Sequence, residues 1–155
     1  YLDAMKKYKV PVDDSLIKIC DTREQAIAIT TDILEAPNRP DGFFAINDET
    51  ASGILYACKL VGLKIPDEVS ICGFSDGIIA QTTDPKLTTV EQHGKEVGES
   101  AIGLLIDKLE NKNPDENRKV KGRSSNRKDF ILTFLRDFSN SKIAITESNN
   151  VNEKL

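Results

Sequence analysis

The sequence predicts an α/β fold in which a parallel sheet carries helices on both faces. Short apolar runs alternate with segments of helical period, in the order β-α-β-α-β between residues 16 and 74, and this order is typical of a parallel sheet. The runs are apolar throughout, as in strands that are covered on both faces. A chain of 155 residues buries roughly two thirds of its unfolded surface, so its core needs neither metals nor disulfides.

The hydrophobic pattern places three strands and three helices. Strands are predicted over 16–20, 42–46 and 69–74, and helices over 23–35, 51–61 and about 92–111. Pro37 and Pro40 end the first helix, and Gly62 ends the second. Asn47 or Asp48 can cap the start of the second helix.

The pattern weakens after residue 111. Residues 1–117 are predicted to form the folded domain, 118–138 a divergent basic segment with a possible last strand at 130–135, and 139–155 a disordered polar tail. In the block 112–128, seven Lys or Arg against two Asp or Glu give a charge of +5, so the remainder of a chain with net charge −4 carries −9. The block is either an interaction tail or a solvated loop, and its lack of aromatic residues that could stack on bases favours the loop.

Three cysteines, Cys20, Cys58 and Cys72, lie in apolar runs at long spacings. Neither these spacings nor the single His93 fits a metal site, so buried free thiols are predicted, and they suit a reducing cytoplasm. No apolar run reaches the roughly 18 residues that a membrane span needs. The chain opens at Tyr1 on what reads as the end of a helix, and we expect it to be part of a longer protein.

Polar side chains follow each of the three predicted strands. Ligands of open α/β sheets bind beyond the carboxyl ends of the strands, so these side chains are predicted to edge a pocket. Carboxylate and amide contacts to vicinal hydroxyls suit a polyhydroxylated or otherwise polar small molecule. The residues are Asp21 and Thr22 after the first strand, Asn47 and Asp48 after the second, and Ser75 and Asp76 after the third.

Each pair also has a purely structural interpretation. The pair 47–48 can serve only as a helix cap, the pair 76–77 only as a turn, and the pair 21–22 only as the start of the first helix. Their coincidence at three successive strand ends favours a ligand site over any one of these interpretations taken alone.

Catalytic patterns are missing from the sequence. It contains no nucleophile elbow, no phosphate-binding loop and no dinucleotide-binding glycine motif after a strand. His93 lies far along the chain from any Ser or Cys that could act as a nucleophile. The sequence therefore predicts a protein that is not an enzyme, with no catalytic residues, no cofactor and no metal.

Three stretches of the chain have the order and spacing of motifs in a known protein family. Residues 40–53 read PDGFFAINDETASG, residues 63–74 read LKIPDEVSICGF and residues 84–92 read DPKLTTVEQ. Together they resemble the lactose-repressor (LacI/GalR) family of transcriptional regulators, and the resemblance extends over about residues 1–112.

This resemblance implies the C-terminal part of an effector-binding domain with the periplasmic-binding-protein type I fold, in which two subdomains close on a small molecule. It implies that Asn47 and Asp48 line the effector cleft, that Asp21 and Thr22 lie at its edge, and that Gln92 lies near the crossing between the subdomains. It also implies operator DNA as a partner, bound through a helix-turn-helix module outside this chain. A homodimer is implied through the helix 51–61 and the stretch 82–84, and no membrane partner is implied.

Ser75 departs from the family pattern, because members commonly have Asp there to bind sugar hydroxyls. A serine hydroxyl is an uncharged and shorter partner than an aspartate carboxylate, so this residue weighs against a simple sugar. The expected effector is still a sugar or a sugar-like molecule. Two alternatives stay open. A solute-binding protein of a transport system would share the fold, and a flavodoxin-like or Rossmann-like enzyme would share the sheet, although the missing phosphate loop argues against an enzyme.

Overall fold

A computed structural model describes residues 2–9, 11–110, 112 and 143–147. Five α-helices, one 3-10 turn and four strands are formed by these residues, and the predicted helices and the three predicted strands are all present. In chain order the elements are α1 (Leu2–Tyr8), the 3-10 turn (Asp14–Leu16), β1 (Ile17–Ile19), α2 (Arg23–Leu34), β2 (Gly42–Phe44), α3 (Asp48–Leu60), β3 (Ser70–Cys72), α4 (Ile78–Thr82), α5 (Gly94–Leu109) and β4 (Ile143–Glu147).

The four strands form one sheet in the order β1-β4-β2-β3, and every pairing in it is parallel. The prediction of an α/β fold with a parallel sheet is thereby confirmed. Parallel strands have their carboxyl ends on one side, so the segments that follow β1, β2 and β3 all leave the sheet there. We call this side the carboxyl edge.

The sequence predicts a disordered tail over 139–155, whereas residues 143–147 of it form strand β4. Its residues lie between β1 and β2, with Ile145 opposite Ile17 and Ala144 opposite Phe43, and without it the two strands would have no common neighbour. The polar flanks of this short run dominated the composition, whereas its pairing partners lie about a hundred residues earlier in the chain. The folded unit therefore extends beyond the predicted boundary at residue 117.

The other predictions for the C-terminal region lie outside the described residues. These are the possible strand at 130–135, the basic segment 118–138 and the rest of the tail. Of the basic block 112–128, the structure describes only Lys112.

The core lies between the sheet and the pair of helices α2 and α3, which pack against each other. Phe43, Ile54 and Val69 are among its largest fully buried side chains. Gly53 sets the spacing of the two helices, because a Cβ added there would lie 2.5 Å from the carbonyl oxygen of Arg23. Helix α2 begins with a capping box in which Thr22 and Gln25 exchange hydrogen bonds with each other's backbone.

Helix α5 is not covered by the rest of the described chain. None of its residues is buried, and Leu109, Ile102 and Leu105 are 75%, 60% and 57% exposed. Within the described residues nothing lies within 4 Å of a Cβ added at Gly98 or Gly103 of this helix. No described helix combines the length and the apolar character needed to cross a bilayer.

All three cysteines are free and buried, as predicted. Burial raises the pKa of the Cys72 thiol to about 12, and the neighbouring Asp48 carboxylate adds to the rise. Burial also raises the pKa of the Cys58 thiol to about 11, although the Arg39 guanidinium acts in the opposite direction. The pKa of Cys20 is raised mainly by burial, so all three thiols are poor nucleophiles in the folded chain.

The close packing of α2 on α3 predicts that Gly53→Ala lowers the free energy of unfolding by about 1–3 kcal/mol, since overpacking costs that much. The added methyl would also lie 3.0 Å from the Cβ of Ala26. Gly98→Ala is the matched control, because it changes another helical glycine with nothing within 4 Å, and a gain of up to about 1 kcal/mol is expected. Urea unfolding measures both, and equal effects would contradict the account.

The buried thiols predict a loss of stability in alkali. Below the ordinary thiol pKa of 9.0, Cys72 is protonated in both the folded and the unfolded chain. Above that pH only the unfolded chain releases the proton, so the free energy of unfolding falls as the pH rises toward the folded value of about 12. Urea unfolding at several pH values should show that Cys72→Ala reduces this slope by about 1 kcal/mol per pH unit. An unchanged slope would mean that the Cys72 thiol is accessible to solvent.

Candidate functional site

Polar side chains predicted from the sequence gather at the carboxyl edge. Four hydrogen bonds join the start of α3, the turn after β3 and the segment 88–92, two between side chains and two from backbone N–H groups to side chains. The segment 88–92 runs along β3, with Thr88 and Glu91 bridging to Cys72 and Ser75. These three pieces of chain form the candidate site.

Asn47 is the residue that caps α3. Its side-chain oxygen accepts hydrogen bonds from the Thr50 backbone N–H at 2.8 Å and from the Thr50 hydroxyl at 3.1 Å. Asn47 remains half-buried at the carboxyl edge. The structural interpretation of this position is therefore correct for Asn47, and it leaves part of the side chain accessible at the edge.

Asp48 has an internal role. Its side chain lies inside the protein, and the residue is only 3% exposed. One carboxylate oxygen accepts a hydrogen bond from the Thr89 hydroxyl at 2.5 Å, and the other accepts one from the Gly77 backbone N–H at 2.9 Å. The carboxylate thus joins the three pieces of chain that make up the site.

The turn after β3 has an uncommon backbone. Ser75 and Asp76 have φ angles of 136° and 55°, in the region that side-chain-bearing residues rarely adopt. The Ser75 N–H donates to the carbonyl of Val90 at 2.9 Å, and the Asp76 N–H donates to the Thr89 hydroxyl oxygen at 3.3 Å. The predicted turn at 76–77 is therefore present, and the segment 88–92 holds it.

Ser75 and Gln92 are brought into contact across this turn. The amide nitrogen of Gln92 donates to the hydroxyl oxygen of Ser75 at 3.2 Å. Asp76 is exposed beside them and accepts a hydrogen bond from the Gln81 amide at 2.8 Å. The uncharged side chains of Ser75 and Gln92 therefore lie beside the carboxylate of Asp76 after β3.

Asp21 and Thr22 follow β1 and lie at the other end of the same edge, with β4 between β1 and β2. Thr22 caps α2 by accepting from the Gln25 N–H at 3.2 Å, and the Gln25 side chain accepts from the Asp21 N–H at 2.9 Å. The helix-start interpretation is correct for Thr22. Strand β4 separates this pair from the residues that follow β2 and β3.

Two residues of the edge were missed by the sequence analysis. Thr89 was part of a quoted motif, and its hydroxyl between two predicted site residues was the available signal. Thr146 lies in the tail that was predicted to be disordered and offered no signal. It is 7% exposed, and its hydroxyl oxygen accepts from the Ile46 N–H at 3.0 Å, which fastens β4 to the end of β2.

His93 follows the site and stands before the first residue of α5. Its φ of 51° is left-handed, and its Nδ1 lies 3.2 Å from a carboxylate oxygen of Glu96 and 3.5 Å from one of Glu91. Among the described residues no group of His, Cys, Asp or Glu is arranged to hold a metal ion.

Two cavities in the described part of the chain have volumes of about 250 and 350 Å³. None of the predicted site residues lines either of them. The lining residues are Leu55, Ile65, Pro66, Ser70, Ile71, Pro85, Lys86, Leu87 and Thr88 for the first cavity, and Ser15, Leu16, Lys18, Ile29, Asp32, Ile33, Ala36, Asn38 and Pro40 for the second.

Comparison with known proteins gives a consistent result. Over residues 1–128 the sequence matches the family of periplasmic binding protein-like domains. It is 34% identical over 111 residues to the HTH-type transcriptional repressor CytR of Escherichia coli K12, which covers 71% of this chain and 33% of CytR. The chain spans about a third of the length of the curated relatives it matches.

Solved structures show the same likeness. A regulatory protein of the LacI family from Chloroflexus aggregans superposes with a TM-score of 0.69 at 31% identity, over 74% of this chain and 42% of that one. A LacI family transcriptional regulator from Enterococcus faecium, solved with bound ribose, superposes with a TM-score of 0.62 at 29% identity, over the same shares of the two chains, 74% and 42%. The resemblance seen in the three sequence motifs is thereby confirmed. The chain belongs to the periplasmic binding protein-like domain family and, within it, to the effector-binding domains of LacI-family regulators.

Proposed function

We propose that this chain is the effector-sensing part of a transcriptional repressor, and that a small polar molecule binds at the carboxyl edge. The observation that carries the proposal is that Asn47 after β2, and the contacting pair Ser75 and Gln92 after the neighbouring β3, lie at the carboxyl edge, where ligands of open α/β sheets bind. Ligand binding would favour one closure of the two subdomains and so change the affinity for operator DNA. The repressors among its relatives favour this function over a solute-binding role in transport.

The chemistry of the edge favours a neutral ligand with several hydroxyl groups. Amide and hydroxyl groups of Asn47, Ser75 and Gln92 both donate and accept hydrogen bonds. Asp76 and Asp21 add carboxylates that accept from hydroxyls and repel anions. The relative from Enterococcus faecium was solved with ribose, which supports a sugar or a sugar-like molecule here.

In this proposal the predicted site residues divide by role. Asn47, Ser75, Asp76 and Gln92 contact the effector, and Asp21 and Thr22 lie at the edge of the cleft. The family resemblance also implies effector contact for Asp48. A contact by this carboxylate would require it to release the Thr89 hydroxyl or the Gly77 N–H that it now holds.

The proposed partners are operator DNA, bound through a helix-turn-helix module outside this chain, and a second copy of the protein, in the cytoplasm. The outer face of α3 supports a dimer, because Tyr56, Leu60 and Val61 are 44%, 63% and 49% exposed. Lys59 on the same helix pairs with Asp84, 3.8 Å from its carboxylate. The helix and the stretch 82–84 thus form one continuous surface for the proposed interface.

The proposal predicts that the intact gene product binds operator DNA and that a neutral sugar shifts this binding. Titration with operator DNA, alone and with D-ribose or other neutral pentoses, hexoses and disaccharides, measures both effects. Failure to bind DNA under every ligand condition would contradict the regulator function. DNA binding that no neutral sugar changes would contradict the proposed ligand class.

Asn47→Ala is predicted to weaken binding of the sugar that shifts operator affinity by about tenfold, because one or two hydrogen bonds of about 1 kcal/mol are lost. Loss of the helix cap should also lower the free energy of unfolding by about 1 kcal/mol. Asn38→Ala is the matched control, since Asn38 is exposed at the opposite edge of the sheet. Calorimetric titration should show that the Asn38 variant binds the sugar with unchanged affinity. Equal affinities in both variants would exclude Asn47 from the site.

A further inference from the structure

We propose that Asp48 and Thr89 form a positioning pair, which sets the backbone of the turn Ser75–Gly77 and thereby tunes the effector site without contacting the ligand. The inference rests on the proposed function for its second half. Its first half concerns only hydrogen bonds within the chain and is tested separately.

The Asp48 carboxylate is buried, and both of its oxygens are hydrogen-bonded. Both of its oxygens accept hydrogen bonds from the protein, one from the Thr89 hydroxyl and the other from the Gly77 N–H. With the residue 3% exposed, no open surface of the carboxylate faces the edge. Its influence on a ligand therefore passes through the groups that it holds.

Thr89 links the Asp48 carboxylate to Asp76, the residue before Gly77. The Thr89 hydroxyl donates its proton to Asp48 at 2.5 Å, which leaves its oxygen free to accept from the Asp76 N–H at 3.3 Å. Asp48 thus holds two successive amides of the turn, Gly77 directly and Asp76 through Thr89. A carboxylate acceptor makes stronger hydrogen bonds than a neutral one.

The backbone of the turn Ser75–Gly77 needs these hydrogen bonds to hold its conformation. Ser75 and Asp76 both have positive φ, a conformation that persists in residues with side chains where the surroundings over-determine it. The same two residues carry the hydroxyl and the carboxylate proposed to meet the ligand. Relaxation of their backbone would therefore displace two effector-contacting groups together.

Gly73 leaves room for the side chain of Asp48, because it has no side chain of its own. A Cβ added at Gly73 would lie 2.4 Å from a carboxylate oxygen of Asp48 and 3.2 Å from the Cβ of Ala51. A side chain at this position would push the carboxylate away from Thr89. The end of β3 is therefore shaped for an inward-pointing Asp48.

Hydrogen exchange of single amides tests the first half of the proposal. In Thr89→Val, the Asp76 N–H loses its acceptor, and the Asp48 carboxylate loses the Thr89 hydroxyl that holds it beside Gly77. Exchange at Asp76 and Gly77 should therefore be about tenfold faster. Thr89→Ser keeps the hydroxyl and should restore slow exchange. Thr88→Val makes the same change one residue earlier, at an exposed position, and should leave both amides protected. Unchanged exchange at Asp76 and Gly77 in Thr89→Val would overturn the proposal.

Ligand binding tests the second half, in the intact gene product with the neutral sugar that shifts operator binding. Thr89→Val should weaken sugar binding about tenfold, whereas Thr89→Ser and Thr88→Val should bind the sugar as the wild type does. Faster exchange with unchanged sugar affinity would overturn the positioning role. If no sugar acts on the wild type, the proposed function fails, while the exchange result still decides whether the pair holds the turn.

Asp48→Asn gives a second variant in case Thr89→Val does not fold. The amide keeps the shape of the side chain but removes the charge, so exchange at Gly77 should rise about tenfold. Protection of a buried amide beside the sheet, that of Ala45, which donates to the Cys72 carbonyl, should follow global stability alone. Equal acceleration at Ala45 and Gly77 would show a general loss of stability and would overturn the proposal.

Discussion

The carboxylate of Asp48 is the constraint on which the rest of the carboxyl edge depends. A buried charge is costly unless hydrogen bonds compensate it, and here the compensation comes from Thr89 and Gly77. Satisfying this one group fixes the start of α3, the turn after β3 and the segment 88–92 relative to one another. The absence of a side chain at Gly73 and the capping of α3 by Asn47 rather than Asp48 are both consistent with that requirement.

Separate roles for neighbouring residues follow from this arrangement. Asn47 and Asp48 are adjacent in sequence, yet one is half-buried at the edge and the other is enclosed. A regulator of this kind needs contact groups that meet a ligand and a frame that keeps them in place. In our account the first need is met by Asn47, Ser75 and Gln92, and the second by Asp48 and Thr89. A Ser at position 75 makes the contact groups mostly uncharged.

Most of the fold could be predicted from hydrophobic periodicity, because β1 to β3 and α2, α3 and α5 each carry their own local pattern. Strand β4 could not, since its five residues are recognisable only through partners about a hundred residues away. The strand ends identified the edge, and the motifs around Asn47 identified the family. They could not separate a cap from a ligand contact at 47–48, because that depends on the position of Thr89, 41 residues along the chain from Asp48.

The most direct test of this account is a scalar coupling measured by NMR across the hydrogen bond from the Gly77 amide nitrogen to the carboxyl carbon of Asp48. We expect that coupling to appear together with those of ordinary backbone hydrogen bonds, such as the one from the Gly73 N–H to the Thr88 carbonyl at 2.8 Å. Detection of the Gly73 coupling without the Gly77 coupling would show that Asp48 does not hold the turn, and would contradict the account.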